Sequence, residues 1–173
     1  MDKIKKIITK IYNDLKDVEG GKVADYIPEL ACVKPEKFAI SVCHVNGEIF
    51  NIGDCESFFC LQSCSKPLSY CVAYDEIGKE ELHKHVGYEP SGQAFNAFIL
   101  NKKGLPHNPM INAGAIMVAS QIGKDIEPAK RFNIIKSYYS KLAGNNKVRF
   151  DNSVFLSEQH HADRNISLAY YMR

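Results

Sequence analysis

Hydrophobic positions in the first eighteen residues repeat at intervals of three and four, which is typical of one face of an α-helix. The apolar positions of this face are Ile4, Ile7, Ile8, Ile11 and Leu15. Lysines occupy much of the opposite face, and Gly20-Gly21 ends the pattern. The sequence therefore predicts an N-terminal amphipathic helix over residues 1–19 that packs on a domain formed by residues 20–173.

The pattern changes within Phe38–Val45, where large apolar residues alternate with small ones from Phe38 to Cys43. A period of two indicates a β-strand. Asn46-Gly47 follows, a dipeptide that favours the tight turn of a β-hairpin, and a second strand is predicted over Glu48–Ile52. Because an isolated hairpin is marginally stable, further strands are expected to complete the sheet.

The rest of the chain favours helices that end at glycines. They are predicted over Lys66–Ile77, Lys79–Val86, Asn112–Ile122, Pro128–Ala143 and, near the end, Ile166–Tyr171. Gly144-Asn145-Asn146 closes the fourth of these helices. A terminal helix, a β-hairpin and a helical subdomain together indicate a mixed α/β (α+β) fold.

The composition excludes several classes of partner. The chain has 173 residues, 45% hydrophobic and 24% charged, which is ordinary for a globular protein. Its net charge is +2, and basic residues cluster only in the first helix, so no nucleic-acid partner is expected. No apolar run reaches the roughly 18 residues of a membrane span, so no membrane partner is expected.

The N-terminus lacks the long apolar core of a signal peptide, which favours the cytoplasm. A mitochondrial location is the alternative, although the acidic residues of the first helix do not fit a transit peptide. Six cysteines lack paired C-x-x-C spacing, so reduced, buried thiols are expected. No ligand pattern supports zinc, and no metal is predicted.

Ser63-Cys64-Ser65-Lys66 has the pattern Ser-x-x-Lys and lies where an apolar stretch runs into a predicted helix. Residues three apart on a helix share a face, so the Ser63 hydroxyl and the Lys66 amine can meet. A serine hydroxyl is a weak nucleophile, and a lysine with a lowered pKa can take its proton. The pattern predicts a nucleophilic serine with a lysine base.

Two neighbouring features favour this interpretation. The ring of Pro67 would crowd the Ser63 carbonyl in a regular helix, which predicts a distorted first turn. Apolar neighbours would remove water from Lys66 and lower its pKa. Two alternatives stay open: Ser63 is only a helix N-cap beside a solvated Lys66, or Cys64 is itself the nucleophile.

Several stretches together resemble the serine-dependent glutaminase family, and they occur in the family's order. They are Gly20–Pro28, Leu61–Leu68, Gly87–Gly92, Pro106–Pro109, Asn112–Ile116, Ser157–Glu158 and Asp163–Asn165. The stretch from Gln62 to Leu68 is more similar to the animal kidney-type enzymes than to typical bacterial members.

The resemblance implies a serine β-lactamase-like fold and the hydrolysis of L-glutamine to L-glutamate and ammonia. It implies no metal and no organic cofactor. It also implies a homo-oligomer, either a dimer or a tetramer, and a response to phosphate in kidney-type members.

The resemblance further implies roles for named residues. Ser63 attacks the amide carbon, Lys66 acts as its base, and the Ser63 N–H supplies half of an oxyanion hole. The family's substrate contacts match Tyr26, Gln62, Ser63, Asn112, Glu158 and Asn165. A carboxylate at Glu158 suits the α-ammonium group of glutamine.

Each substrate contact has a simpler alternative. Tyr26 would be a core tyrosine, and Asn112 would be only the N-cap of its helix. Glu158 would be a solvated charge beside two histidines. Asn165 would have no substrate role and would merely follow a structural ion pair, Asp163-Arg164.

Family members continue well beyond residue 173, and the remaining portion is implied to supply more strands, two substrate-site tyrosines and the second oxyanion donor. The fold is therefore expected to be incomplete, with its C-terminal strands missing, and residues 1–173 alone are expected to be inactive. Two other functions stay open. In the first, the chain would be a shortened, non-catalytic relative that binds a partner. In the second, it would be another Ser-x-x-Lys acyl-transfer enzyme of the same fold.

Overall fold

In the computed structural model, which describes residues 1–144 and 147–173, the chain divides into two units, Met1–Cys60 and Leu61–Arg173. Asn145 and Asn146, which were predicted to close a helix, lie outside the described residues. The predicted boundary after residue 19 stays a prediction. The first unit contains α1 (Asp2–Leu15), α2 (Pro28–Ala31), β1 (Ala39–Cys43) and β2 (Ile49–Gly53).

The hairpin of the first unit confirms the alternating pattern. β1 and β2 pair antiparallel, and Ile40 and Val42 lie on the half-buried face. Gly47 adopts a φ of 86° in the connecting turn, where its N–H donates to the His44 carbonyl, 2.8 Å away. A positive φ is what glycine supplies at low cost, so the hairpin predicted at Asn46-Gly47 is confirmed. β1 is shorter than predicted and β2 begins one residue later than predicted, because the His44 N–H already bonds to the Glu48 carbonyl and Val45 joins the turn.

α1 packs against the hairpin through a stripe that overlaps the predicted one only in part. Tyr12 stacks on Phe38, with ring centroids 5.4 Å apart, and Lys5 pairs with Glu48 at 2.6 Å. Of the predicted apolar positions, Ile8 is half-buried, whereas Ile4, Ile7, Ile11 and Leu15 remain 37–49% exposed. The prediction of the helix is confirmed, but the prediction of its buried face is only partly right, because the contact with the hairpin runs along one edge of that face.

The second unit is helical within its described residues. A short 3₁₀ turn, Gln62–Cys64, leads directly into α3 (Ser65–Ile77). The helices that follow are α4 (Lys79–Leu82), α5 (Asn112–Gln121), α6 (Pro128–Leu142), α7 (Asn152–His160) and α8 (Asp163–Met172). The pattern did not predict α2 or α7, and it made α4 four residues too long.

Two apolar clusters hold the second unit together. The larger one joins α3, α4 and α5 through Val72, Ala73, Leu82, Val86, Val118 and Ile122, with side chains of α6 packed against it. The smaller one joins α5 to α8 through Ile111, Ala113 and Leu168. A Cβ at Gly114 would overlap the Asn108 carbonyl oxygen, so the small residues of α5 let the preceding loop approach closely.

The cysteines correct a further expectation. Within the described ranges they are free thiols, as predicted, but Cys32, Cys43, Cys64 and Cys71 are exposed and not buried. Cys43 lies on the outward face of β1, and the alternation of the strand explains its exposure.

Candidate active site

The turn that carries Ser63 has an unusual backbone. Gln62 adopts a φ of 45°, and it is the one non-glycine residue with a positive φ among residues 1–144 and 147–173. Such a conformation costs roughly 1 kcal/mol or more in a residue with a Cβ. Pro67 falls in the first turn of α3, where its missing N–H has no helical partner to lose. The prediction of a distorted turn is confirmed.

Ser63 lies exposed at the centre of the 3₁₀ turn. The N-cap position of α3 belongs to Cys64, and no side chain caps it, so the N-cap interpretation of Ser63 is wrong. Within the described ranges no hydrogen bond joins Ser63 to Lys66, because the Lys66 amine is bonded elsewhere.

Lys66 reaches from α3 to the start of α5. Its Nζ donates to Asn112 Oδ1 at 2.8 Å and to the Met110 carbonyl oxygen at 3.0 Å. The Phe95 ring lies beside it, with its centroid 5.7 Å from Nζ. Burial lowers the pKa of Lys66 below that of a free lysine. The interpretation of Lys66 as a solvated surface charge is therefore wrong.

Asn112 continues this chain of contacts to α8. Its Oδ1 accepts from the Lys66 amine, so its Nδ2 faces Asn165 and donates to Asn165 Oδ1 at 3.1 Å. The N-cap of α5 is Ile111, and Asn112 does not cap the helix, so that alternative is wrong. Three helices thus meet through one lysine and two amides.

Glu158 on α7 contacts the other side of the Ser63 turn. Its Oε1 accepts from Gln62 Nε2 at 3.1 Å, and its side chain is half-buried. It is therefore not a fully solvated charge. The structural ion pair expected between Asp163 and Arg164 is not found in the described part of the chain, where Arg164 Nη1 donates to the Asn96 carbonyl at 3.3 Å.

Tyr26 differs from the other predicted site residues. It belongs to the first unit, whereas the others lie within Leu61–Arg173. Its side chain is 54% exposed, so the interpretation of Tyr26 as a core tyrosine is wrong.

The sequence did not indicate two groups that contact Lys66. The Met110 carbonyl could not have been read from the sequence, because any residue offers a backbone carbonyl there. Phe95 could not be distinguished from an ordinary packing residue. Across residues 1–144 and 147–173, no group of three His, Cys, Asp or Glu side chains could hold a metal ion. No helix in the same ranges is long and apolar enough to span a membrane.

A model of the glutaminase family matches residues 21–173. The chain therefore belongs to the glutaminase family. It is 44% identical over 166 residues to the rat (Rattus norvegicus) protein named "Glutaminase liver isoform, mitochondrial". It is also 43% identical over 176 residues to a protein of Aliivibrio salmonicida named "Glutaminase".

Solved structures give the same result. The chain superposes on "Probable glutaminase ybaS" with a TM-score of 0.92 and 30% identity, covering 99% of this chain and 55% of that one. A second neighbour is "Mglu in its tris and glutamate form", with a TM-score of 0.87 and 31% identity over 98% of this chain and 38% of that one.

The coverage of the relatives is partial. The chain aligns over 96% of its own length with 28% of the rat protein, and over its whole length with 57% of the Aliivibrio protein. The chain thus spans about a quarter to a little over half of the relatives that it matches.

Proposed function

We propose that the protein, within its full-length chain, hydrolyses L-glutamine to L-glutamate and ammonia through an acyl-enzyme on Ser63. The observation that carries the proposal is the environment of Lys66. Its Nζ has two acceptors, Asn112 Oδ1 and the Met110 carbonyl. A neutral amine has two hydrogens, so these acceptors satisfy both of them and leave its lone pair free for the Ser63 proton.

The first half of the reaction forms an ester. The Ser63 proton moves to Lys66 Nζ as Oγ bonds to the side-chain amide carbon of glutamine. The Ser63 N–H donates to the oxyanion that develops there. The carbon–nitrogen bond then breaks, and the leaving nitrogen takes the proton and departs as ammonia.

The second half returns the enzyme to its starting state. Water gives a proton to Lys66 and attacks the ester carbon. The bond to Oγ breaks, glutamate is released, and Ser63 recovers its proton. Burial of Lys66 assists both halves, because a lowered pKa keeps more of the amine neutral near pH 7.

The substrate contacts follow from charge and hydrogen-bonding capacity. Glu158 binds the α-ammonium group, since it is a half-buried carboxylate with one oxygen held by Gln62. Asn112 and Asn165 provide polar contacts for the remainder of glutamine. The neighbour described in a glutamate form supports an amino-acid ligand at this kind of site.

The remaining properties also belong to the proposal. The fold is of the serine β-lactamase-like type, and the protein forms a dimer or a tetramer. Its location is cytoplasmic, with the mitochondrion as the alternative that the rat relative's name supports.

An ammonia-release assay on the full-length protein tests the proposal with Ser63→Ala and, as a matched control, Ser120→Ala. Ser120 is an exposed serine of α5 whose hydroxyl, within the described part of the chain, bonds to Met117 and Gln121 of the same helix. We expect Ser63→Ala to lose essentially all turnover, while Ser120→Ala stays at the wild-type level. More than a few per cent of the wild-type kcat in Ser63→Ala would mean that another group is the nucleophile.

A further inference from the structure

Side chains without a role in the proposed chemistry hold the turn that carries Ser63. Ser65 Oγ donates to the Gln62 carbonyl at 2.7 Å, and the Ser65 N–H donates to the same carbonyl. Tyr139 of α6 donates its hydroxyl proton to the Ser65 carbonyl at 3.2 Å. Ser69 Oγ lies 2.7 Å from the Tyr139 oxygen. Since Tyr139 has one hydroxyl proton and gives it to Ser65, Ser69 is the donor in this pair.

The Gln62 carbonyl belongs to the peptide group that precedes Ser63, and the Ser65 carbonyl belongs to the peptide group that precedes Lys66. A trans peptide is planar, and its C=O and the N–H of the next residue point in opposite directions. A bond that fixes the Gln62 carbonyl therefore fixes the Ser63 N–H. A bond that fixes the Ser65 carbonyl likewise fixes the orientation of the Ser65–Lys66 peptide plane, and with it the backbone from which the Lys66 side chain projects.

The strain at Gln62 makes these bonds necessary. A φ of 45° is unfavourable for a residue with a Cβ, and such a conformation persists only when its surroundings hold it. Within this segment, the hydroxyl of Ser65 supplies one such constraint, and α6 supplies another through Tyr139.

We infer that Ser65 and Tyr139 are positioning residues for the turn: Ser65 holds the Gln62–Ser63 peptide so that the Ser63 N–H faces the developing oxyanion, and Tyr139 holds the following Ser65–Lys66 peptide. The inference rests on the proposed function, in which Ser63 is the nucleophile. Ser69 supports Tyr139 by donating to its oxygen. Ser69 and Tyr139 thus hold the backbone of Ser65, and the hydroxyl of Ser65 holds the strained turn.

Tyr138 provides a matched comparison. It precedes Tyr139 on α6, and its hydroxyl also donates to α3, in this case to Asp75 Oδ2 at 2.6 Å. Tyr138→Phe and Tyr139→Phe thus remove the same chemical group from the same pair of helices. Only Tyr139→Phe removes a bond to Ser65, the residue that holds the Gln62 carbonyl.

The test measures kcat and KM of the full-length protein for glutamine in Ser65→Ala, Ser65→Thr, Tyr139→Phe and Tyr138→Phe. We expect kcat to fall about 10- to 100-fold in Ser65→Ala and about 3- to 10-fold in Tyr139→Phe, with KM within about twofold. Ser65→Thr retains the hydroxyl and restores kcat, and Tyr138→Phe leaves it unchanged. Equal losses in the two tyrosine variants, or normal turnover in Ser65→Ala, would overturn the inference.

Hydrogen–deuterium exchange over residues 61–66 gives a readout that does not depend on activity. We expect faster exchange in Ser65→Ala and Tyr139→Phe, and no change in Tyr138→Phe. Unchanged exchange in the first two variants would overturn the inference whatever their activity. If the wild-type protein releases no ammonia from glutamine, the proposed function fails, and the exchange data still decide whether these residues hold the turn.

Discussion

The first and last turns of α3 differ in backbone geometry, burial and composition. The helix begins after a strained 3₁₀ turn with Ser63 and Cys64 exposed, and its polar groups bond to side chains and carbonyls of other elements. Toward its other end, Val72 and Ala73 are buried in the larger apolar cluster. Gly78 then ends the helix with a φ of 78°, a conformation suited to glycine.

This difference shows how one helix supports both packing and chemistry. A conformation as unfavourable as that of Gln62 persists only if the rest of the helix cannot move to relieve it. The buried half of α3 contacts α4 and α5 closely, so it fixes the axis along which Ser63 and Lys66 project. Changes at the first turn should therefore affect turnover, and changes at the buried end should affect stability.

The largest effect is expected at the first turn, from Lys66→Arg. Arginine keeps the positive charge but cannot be deprotonated in a protein, so it cannot take the Ser63 proton. We expect kcat to fall about 10²- to 10⁴-fold, close to the loss in Lys66→Ala. Steady-state ammonia release gives the measurement, with exposed Lys84→Arg as the control. Near-normal turnover in Lys66→Arg would assign Lys66 the role of a fixed charge.

The buried end is tested by Leu82→Ala. Leu82 is fully buried against α3, and its truncation leaves a cavity that costs about 2–5 kcal/mol of unfolding free energy. We expect denaturant unfolding to show this loss, while the kcat per folded molecule stays within about twofold. A large fall in kcat without a change in stability would contradict the separation between the two ends of the helix.

The charge balance at the first turn is tested by Asn112→Asp. The change places a carboxylate about where the amide oxygen accepts from Lys66, and a nearby opposite charge raises the pKa of a lysine. The neutral amine is the active form, so kcat/KM rises with pH through the pKa of Lys66. We expect the rising limb to lie below the pKa of a free lysine in the wild type and to move to higher pH in Asn112→Asp.

A pH profile of kcat/KM for both proteins measures this shift. Asn133→Asp, at an exposed position of α6, is the matched control that adds the same charge away from Lys66. Superimposable pH profiles for the wild type and Asn112→Asp would show that the pKa of Lys66 does not determine the rising limb of kcat/KM.

The elements that the sequence predicted well are those determined by local chemistry. Asn46-Gly47 fixed the hairpin, and Gly78 fixed the end of α3, because each needs a backbone conformation that few residues adopt. α7 was missed since its apolar positions are few and its start depends on the cap that Asp151 makes to Ser153 and Val154. The buried face of α1 was predicted only in part, because the position of the hairpin decides which stripe of the helix is covered.

In the candidate site, too, some features could be predicted from local sequence and others depend on how distant helices pack. The spacing of Ser63 and Lys66 could be read directly, since the two residues lie three positions apart in the sequence, although Ser63 lies in the 3₁₀ turn and Lys66 in α3. The contacts of Lys66 with Asn112, and of Asn112 with Asn165, join α3, α5 and α8, and no local pattern specifies how distant helices meet. Ser65 and Tyr139 carried no signal in the sequence, because their importance lies only in which carbonyls they reach.

The smallest expected effect comes from Glu158→Gln, which separates charge from geometry at the edge of the strained turn. A glutamine at this position can still accept from Gln62 through its Oε1, so the turn should keep its shape. The change removes only the negative charge proposed to face the α-ammonium group.

Loss of one charge-assisted bond costs about 1.5–3 kcal/mol, or roughly 10- to 150-fold in affinity. Calorimetric titration of glutamate into the full-length variant and the wild type measures this, with exposed Glu80→Gln as the control. Equal affinities in all three proteins would show that Glu158 only supports Gln62, and the α-ammonium group would then need another partner.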